Sequence, residues 1–142
     1  MAGEELAEEF VKEEAKKMTN QDVEKVLIRS EEIKKRFRRS GPLGRFFEDG
    51  QLLVGMVKDY WSRSYRKIPS ATIAAVVVSL IYVLNPLDLV PDVLPLIGQV
   101  DDAAIVAACL LLIEQDLFSY RQWKETQAPK KDDASQDEPP DQ

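Results

Sequence analysis

The chain has 142 residues, 44% hydrophobic and 31% charged, with a net charge of −6. That length points to one domain by default, and the apolar share supports a packed core or membrane insertion and excludes wholesale disorder. There is no histidine and a single cysteine, Cys109, which removes the commonest general base and metal ligand and any intrachain disulfide.

Residues 4–17 alternate Glu and Lys around Leu6, Phe10 and Ala15, predicting a short, solvated helix held by i,i+4 charge pairs and marginal when isolated. The segment lacks the apolar core of a secretory signal, so a reducing, intracellular setting is expected. Thr19-Asn20-Gln21-Asp22 has the spacing of a capping box. Val23, Val26, Leu27, Ser30, Ile33 and Phe37 then recur three or four apart, predicting a helix over about 20–39 that ends at Ser40-Gly41-Pro42. Residues 1–40 thus read as a charged amphipathic N-terminal arm. Within it, Lys34-Lys35-Arg36-Phe37-Arg38-Arg39 holds five of the nineteen basic residues. Such a run is a solvated helix face or, functionally, a contact for anionic lipid in preference to nucleic acid.

A further helical pattern, Leu43, Phe46, Phe47, Leu52, Leu53, Met56, Val57, Tyr60 and Trp61, carries Gly50 and Gly55 as weak points. Arg63, Arg66 and Lys67 crowd its end, where positive charge suits the helix dipole, and Pro69 stops it. Ser70–Leu84 is apolar without alternation, which predicts a helix hydrophobic on every side in preference to a strand. Asp101-Asp102 opens another apolar helix, Ala103 to Ile113, that turns amphipathic beyond Glu114 and runs to about Trp123. Cys109 lies among Ala107, Ala108, Leu110 and Leu111, the setting of a small buried thiol without activating cations. Residues 126–142, rich in Lys, Asp, Gln and Pro, are expected to be a disordered acidic tail.

The expected architecture is all-α: four to five helices, with a helical-hairpin domain over 43–125. In it Ser70–Leu84 packs antiparallel to about 102–123, with Tyr60, Trp61, Tyr82 and Phe118 at the helix contacts. Between the two apolar helices, the stretch from Tyr82 to Ala103 contains Pro86, Pro91 and Pro95 together with Asp88, Asp92, Asp101 and Asp102. A single helix cannot pass through it, because each proline lacks an N–H donor and clashes with the preceding turn. It reads as a structured Pro/Asp-rich connector.

The string Tyr82, Pro86, Asp88, Pro91, Asp92, Pro95, Gly98, Asp101 and Asp102 resembles the motif of the YkvA-like family, bacterial domain of unknown function number twelve thirty-two. In that pattern an aromatic-led apolar helix is followed by Pro-Leu/Ile-Asp-Leu-Ile/Val-Pro-Asp, then Pro and Gly, then Asp-Asp before a second apolar helix. The resemblance covers roughly residues 57–123. It implies a fold and an association with membranes, and no reaction.

Placement of charge points the same way. From Ile68 to Tyr120 there is no Lys or Arg, whereas Lys58, Arg63, Arg66 and Lys67 precede this span and Arg121, Lys124, Lys130 and Lys131 follow it. That is the positive-inside arrangement of a hairpin with both termini cytoplasmic. Length argues otherwise: the apolar run Ala103–Ile113 falls well short of the ~20 residues that span a bilayer. The favoured reading is therefore a membrane-associated helical hairpin, containing or lacking a true transmembrane helix, that anchors or binds a partner. Membrane lipid is the expected partner, alongside a protein partner or self-association through the hairpin, with no nucleic acid, cofactor or catalytic residue. A soluble all-α adaptor with a cytoplasmic location is the alternative.

The four aspartates admit two roles. Asp88, Asp92, Asp101 and Asp102 supply the oxygen ligands that Mg²⁺ or Ca²⁺ takes, making a divalent-cation domain a second alternative. The favoured role is capping of backbone N–H groups at helix starts, in which case Asp102→Ala costs ~0.5–2 kcal/mol. Capping predicts a melting temperature independent of millimolar Mg²⁺ or Ca²⁺, and a milder effect of Asp102→Asn than of Asp102→Ala. A metal-dependent rise abolished by both Asp88→Asn and Asp92→Asn would instead establish a cation site.

Overall fold

The computed structural model describes residues 2–38, 42–85 and 102–127. Among the described residues the chain is all-helical, without a strand. In order come α1 (Ala2–Ala15), α2 (Asn20–Ile28), α3 (Ser30–Arg38), a 3-10 turn (Pro42–Phe46), α4 (Phe47–Trp61), α5 (Ser70–Leu84), α6 (Asp102–Leu112) and α7 (Glu114–Gln127). The all-α expectation holds. The expected four to five helices become seven α-helices among the described residues, because two of the segments each divide.

Helix α5 sits at the centre. Every residue from Thr72 to Leu84 is buried, and α1, α2, α3, α4 and α6 all touch it. A helix apolar on all faces demands such cover in water. Its few polar groups are satisfied locally: Ser79 Oγ donates to the Ala75 carbonyl at 2.9 Å, and Thr72 Oγ1 donates to Asp116 Oδ2 at 2.6 Å. At its C-terminal end Arg36 Nη1 donates to the Val83 carbonyl at 3.2 Å, placing a cation where the helix dipole is negative.

The expected helix over 20–39 divides at Arg29. Its start is capped as the sequence indicates: Thr19 N donates to Asp22 Oδ2 at 2.9 Å and Asp22 N to Thr19 Oγ1 at 3.3 Å. The Arg29 and Ile33 amides still reach carbonyls four residues back, at 3.0 Å each. The division is thus a one-residue interruption across which Arg29 itself stays bonded on both sides. It lets Val23 and Val26 of α2 and Ile33 and Phe37 of α3 bury together in one core.

The N-terminal helix is less solvated than its composition suggests. Its inward stripe is Ala7, Phe10, Val11 and Glu14, not Leu6, which is 43% exposed. The stripe packs on α5 and α6. Charge pairs on the arm close at i,i+3, as in Glu13–Lys16 at 3.4 Å, Arg29–Glu32 at 2.8 Å and Glu31–Lys34 at 3.6 Å. Exposed pairs of this kind contribute ~0–1 kcal/mol. Burial of one Val, Leu or Ile contributes ~1.5–3 kcal/mol, so it is the apolar stripe that fastens the arm.

The second apolar segment bends by 83° between Ala103–Leu112 and Glu114–Gln127, correcting the single helix expected to Trp123. Ile113 N bonds Cys109 O at 3.0 Å and Leu117 N bonds Ile113 O at 2.8 Å, so Ile113 itself stays bonded on both sides of the corner while the helix is interrupted there. The bend falls where apolar composition gives way to Glu114, and it brings Leu117 and Tyr120 into the core. It also turns Phe118 outward to 57% exposure. Of the four aromatics expected at helix contacts, Tyr82 is buried and Tyr60 half-buried, whereas Phe118 and Trp61 (41% exposed) are not.

Gly50 is a contact point and not a weakness of α4. A Cβ there would lie 2.7 Å from the ring of Phe37, which is itself buried. Gly50→Ala is expected to destabilise the fold by ~1–3 kcal/mol through overpacking, despite the better helix propensity of alanine. Chemical denaturation of the two proteins measures it, and an unchanged or raised midpoint would contradict the packing.

Candidate functional site

Of the motif residues, Pro86, Asp88, Pro91, Asp92, Pro95, Gly98 and Asp101 lie outside the described residues, as does the tail from residue 128 onward. Asp102 begins α6. Tyr82 is buried near the end of α5, its ring edge-on to Phe10 at 5.5 Å. Among the described residues no group of three or more His, Cys, Asp or Glu side chains gathers as a metal ion would require.

What the described chain does assemble is a cluster at the start of α5. Here α4 ends in a tight turn in which Arg63 takes a left-handed conformation, with φ 70°. The Arg63 amide returns to Tyr60 O at 3.2 Å and the Tyr65 amide to Asp59 O at 3.0 Å. Tyr65 is thereby aimed inward, its ring 5.4 Å from Tyr120 and 4.9 Å from Trp123. Tyr120 and Trp123 stack at 5.8 Å. These rings tie the α4–α5 loop to α7, although about 55 residues separate them in sequence.

Tyr120 carries the polar part. It is fully buried, and its Oη donates to Asp59 Oδ2 at 2.6 Å. Lys124 Nζ lies 3.6 Å from the same carboxylate oxygen. Gly55 makes the room, since a Cβ there would stand 2.8 Å from Tyr120 Oη. Burial first, then the hydrogen bond to Asp59 and its negative charge, push the phenol pKa far above its usual value. The hydroxyl is therefore a fixed donor and not a proton acceptor. Cys109 is equally committed: burial pushes its thiol up to about 11, against a smaller opposing effect of a hydrogen bond with Ser79. Its Sγ faces the Ala75 carbonyl at 3.8 Å. The buried-thiol reading of the sequence is met.

Around the aromatic cluster the surface is cationic. The Arg66 guanidinium lies 4.2 Å over the Tyr60 ring and donates to the Tyr60 carbonyl at 3.3 Å. Arg63 and Lys67 are exposed. The basic run of α3 is spent differently, with Arg36 turned onto α5 and Lys34 paired with Glu31. A cleft of about 830 Å³ between the end of α1 and the start of α5 has Glu9, Lys12, Glu13 and Lys16 along its rim over Ala74, Ala75 and Ile113. Sequence reasoning passed over Asp59, Tyr65, Tyr120 and Trp123 as a group. The available signal was Gly55, a second glycine in a helix whose propensity it lowers.

Residues 72–108, from α5 through the connector into α6, match the profile of the family described as "Protein of unknown function (DUF1232)". The chain is 30% identical over 69 residues to the "Uncharacterized membrane protein YkvA" of Bacillus subtilis (strain 168), an alignment covering 49% of this chain and 65% of that protein. The chain thus spans a little under two thirds of that relative's length. No solved structure matches it.

Removing the Tyr120 hydroxyl leaves Asp59 without its buried donor, so Tyr120→Phe is expected to cost ~1–3 kcal/mol at neutral pH. A phenol whose folded pKa is raised contributes stability that is complete below the unfolded value of about 10 and declines as pH rises above it. The gap in melting temperature between wild type and Tyr120→Phe should therefore narrow above pH ~10. A gap that widens with alkalinity would contradict the assignment.

Proposed function

We propose that this chain, which belongs to the YkvA-like DUF1232 family through residues 72–108, is a membrane-associated helical interaction module without catalytic activity. It rests on the lipid surface as a folded bundle, with both termini cytoplasmic. Helices α5 and α6 form its hairpin, closed by the Pro/Asp-rich connector. In support of that pairing, the late part of α6 lies against the early part of α5, through Cys109 at Ala75. The observation that carries the reading is the complete covering of α5. A helix enclosed by its own chain offers lipid no bare apolar face, so contact is made by outer surfaces. The membrane itself is supported by the B. subtilis relative, a membrane protein by name. A non-catalytic role is supported by the state of the two reactive groups in the core, a neutral buried thiol and a phenol locked to Asp59.

The covering of α5 also favours a second reading, a soluble all-α adaptor whose hairpin is only its core. No single described helix is long and apolar enough to cross a membrane, and the one pair that passes by length and composition is bent by 83°. Cell fractionation separates the readings. Surface association predicts recovery with membranes at low ionic strength and release by carbonate, because the attractions involved are largely electrostatic and screened by salt. Full recovery in the soluble fraction at low ionic strength would favour the adaptor, and release by detergent alone would mean that the hairpin is inserted.

A further inference from the structure

The membrane reading leaves open which surface meets lipid. We propose that the α4–α5 loop and the end of α7 form one docking surface for an anionic bilayer, with Arg63, Arg66 and Lys67 meeting the lipid phosphates and Trp61 and Trp123 seated at the interface. The inference rests on the membrane reading and specifies it. Neither segment holds this surface alone; the ring contacts of Tyr65 with Tyr120 and Trp123 bring the two together.

Charge is the first argument. Arg63 and Lys67 are exposed and make no ion pair among the described residues. Arg66 is held over Tyr60 by its ring and its carbonyl, which fixes one edge of the guanidinium and leaves an exposed cation to meet phosphate. The carboxylate of Asp59, in the last turn of α4, is occupied by Tyr120 and Lys124, so it subtracts little from the field. Glu125 is the one exposed acid on the neighbouring turn of α7. A protein of net charge −6 that gathers three cations on a tight turn has a local surface opposite in sign to its whole. The cytoplasmic leaflet is negative, and basic residues near it are attracted within a Debye length.

The aromatic side chains are the second argument. Both tryptophans of the chain, Trp61 and Trp123, belong to this surface. Trp61 is 41% exposed at the end of α4, where no core contact explains its size. Tryptophan and tyrosine beside arginine and lysine are the side chains that settle at the headgroup level. The other basic run lacks this combination, for its aromatic, Phe37, is buried, and two of its cations are taken up within the protein. Nucleic acid fits less well, since the exposed cations do not extend into a groove or stripe and the overall charge opposes it.

The full chain is mixed with vesicles of phosphatidylcholine alone and of phosphatidylcholine containing phosphatidylglycerol, read by co-sedimentation and by tryptophan emission. Because Trp61 is exposed and Trp123 half-buried, binding should shift emission to the blue with the anionic vesicles and not with the neutral ones. Arg63→Glu with Lys67→Glu should weaken binding by at least about tenfold, while Lys35→Glu with Arg38→Glu, of equal charge change, should bind nearly as wild type. Equal weakening by both pairs would reduce the effect to net charge and overturn the surface, as would binding without a blue shift. Should the reversal pair fail to match the wild-type melting curve, Arg63→Ser with Lys67→Ser is read in its place by the same criteria. Failure of wild type to bind anionic vesicles also overturns the surface. If the chain still sediments with cell membranes, the broader membrane reading survives that failure.

Discussion

A helix with no polar face cannot stand in water, and α5 is such a helix: from Thr72 to Leu84 each side chain is buried. Its enclosure organises the rest of the fold. Burial of one aliphatic side chain is worth ~1.5–3 kcal/mol, and α5 offers a run of them on every side, so neighbours gain from any direction of approach. The N-terminal arm is a consequence. Helices α1, α2 and α3 are rich in charge and two are only nine residues long. In isolation α2 and α3 are below the ~12–15 residues at which a helix holds in water and α1, of 14 residues, is marginal, and here all three are stabilised through Phe10, Val11, Val26, Ile33 and Phe37 against the centre.

Close approach around α5 and α4 then fixes where small residues stand. Gly50 admits the Phe37 ring and Gly55 admits the Tyr120 hydroxyl. Both glycines lower helix propensity by ~1 kcal/mol relative to alanine, a cost outweighed by the contacts of a buried phenylalanine and a buried, hydrogen-bonded tyrosine. Four of the polar groups drawn inward by this packing have these partners: Thr72 has Asp116, Ser79 has Ala75 O, Tyr120 has Asp59, and Glu14 has Lys17 at 3.2 Å. An interior that left any of them unpaired would lose ~1–3 kcal/mol for each.

Much of the architecture was legible in the sequence, and the rest was hidden for identifiable reasons. The capping box at Thr19, the all-round apolar character of 70–84, the buried Cys109 and the start of a helix at Asp102 follow from local rules, and the described residues agree with them. The divisions at Arg29 and Ile113 did not show, because neither carries the glycine or proline that marks a helix break in a sequence. The inward face of α1 was misread because Ala7 is small and Glu14 is charged, while Leu6, the more hydrophobic residue, points to solvent. The family string was legible as a string. The positions that define it between Pro86 and Asp101 lie outside the described residues, so their chemistry stands where the sequence left it. The Tyr65–Tyr120–Trp123 cluster left no trace in the sequence beyond Gly55, since it joins residues far apart in the chain through a loop conformation that local patterning does not encode.

The same geometry converts a linear segregation of charge into a spatial one. Between Ile68 and Tyr120 the chain has no basic residue, as an enclosed pair of helices requires, and its cations collect in the flanks. A straight second helix would have left the flanks apart. The 83° corner at Ile113 swings α7 back across the bundle, and the bond from Tyr120 to Asp59 fastens it beside the end of α4. Lys124 thereby meets Asp59 and Arg121 approaches Asp49 at 3.4 Å, which pairs both α7 cations with acids of α4. Arg63, Arg66 and Lys67 are left as the uncompensated charge at that end. The apolar composition of the centre and the basic face at its margin are thus one arrangement, imposed by the need to enclose α5 and completed by a single buried hydroxyl.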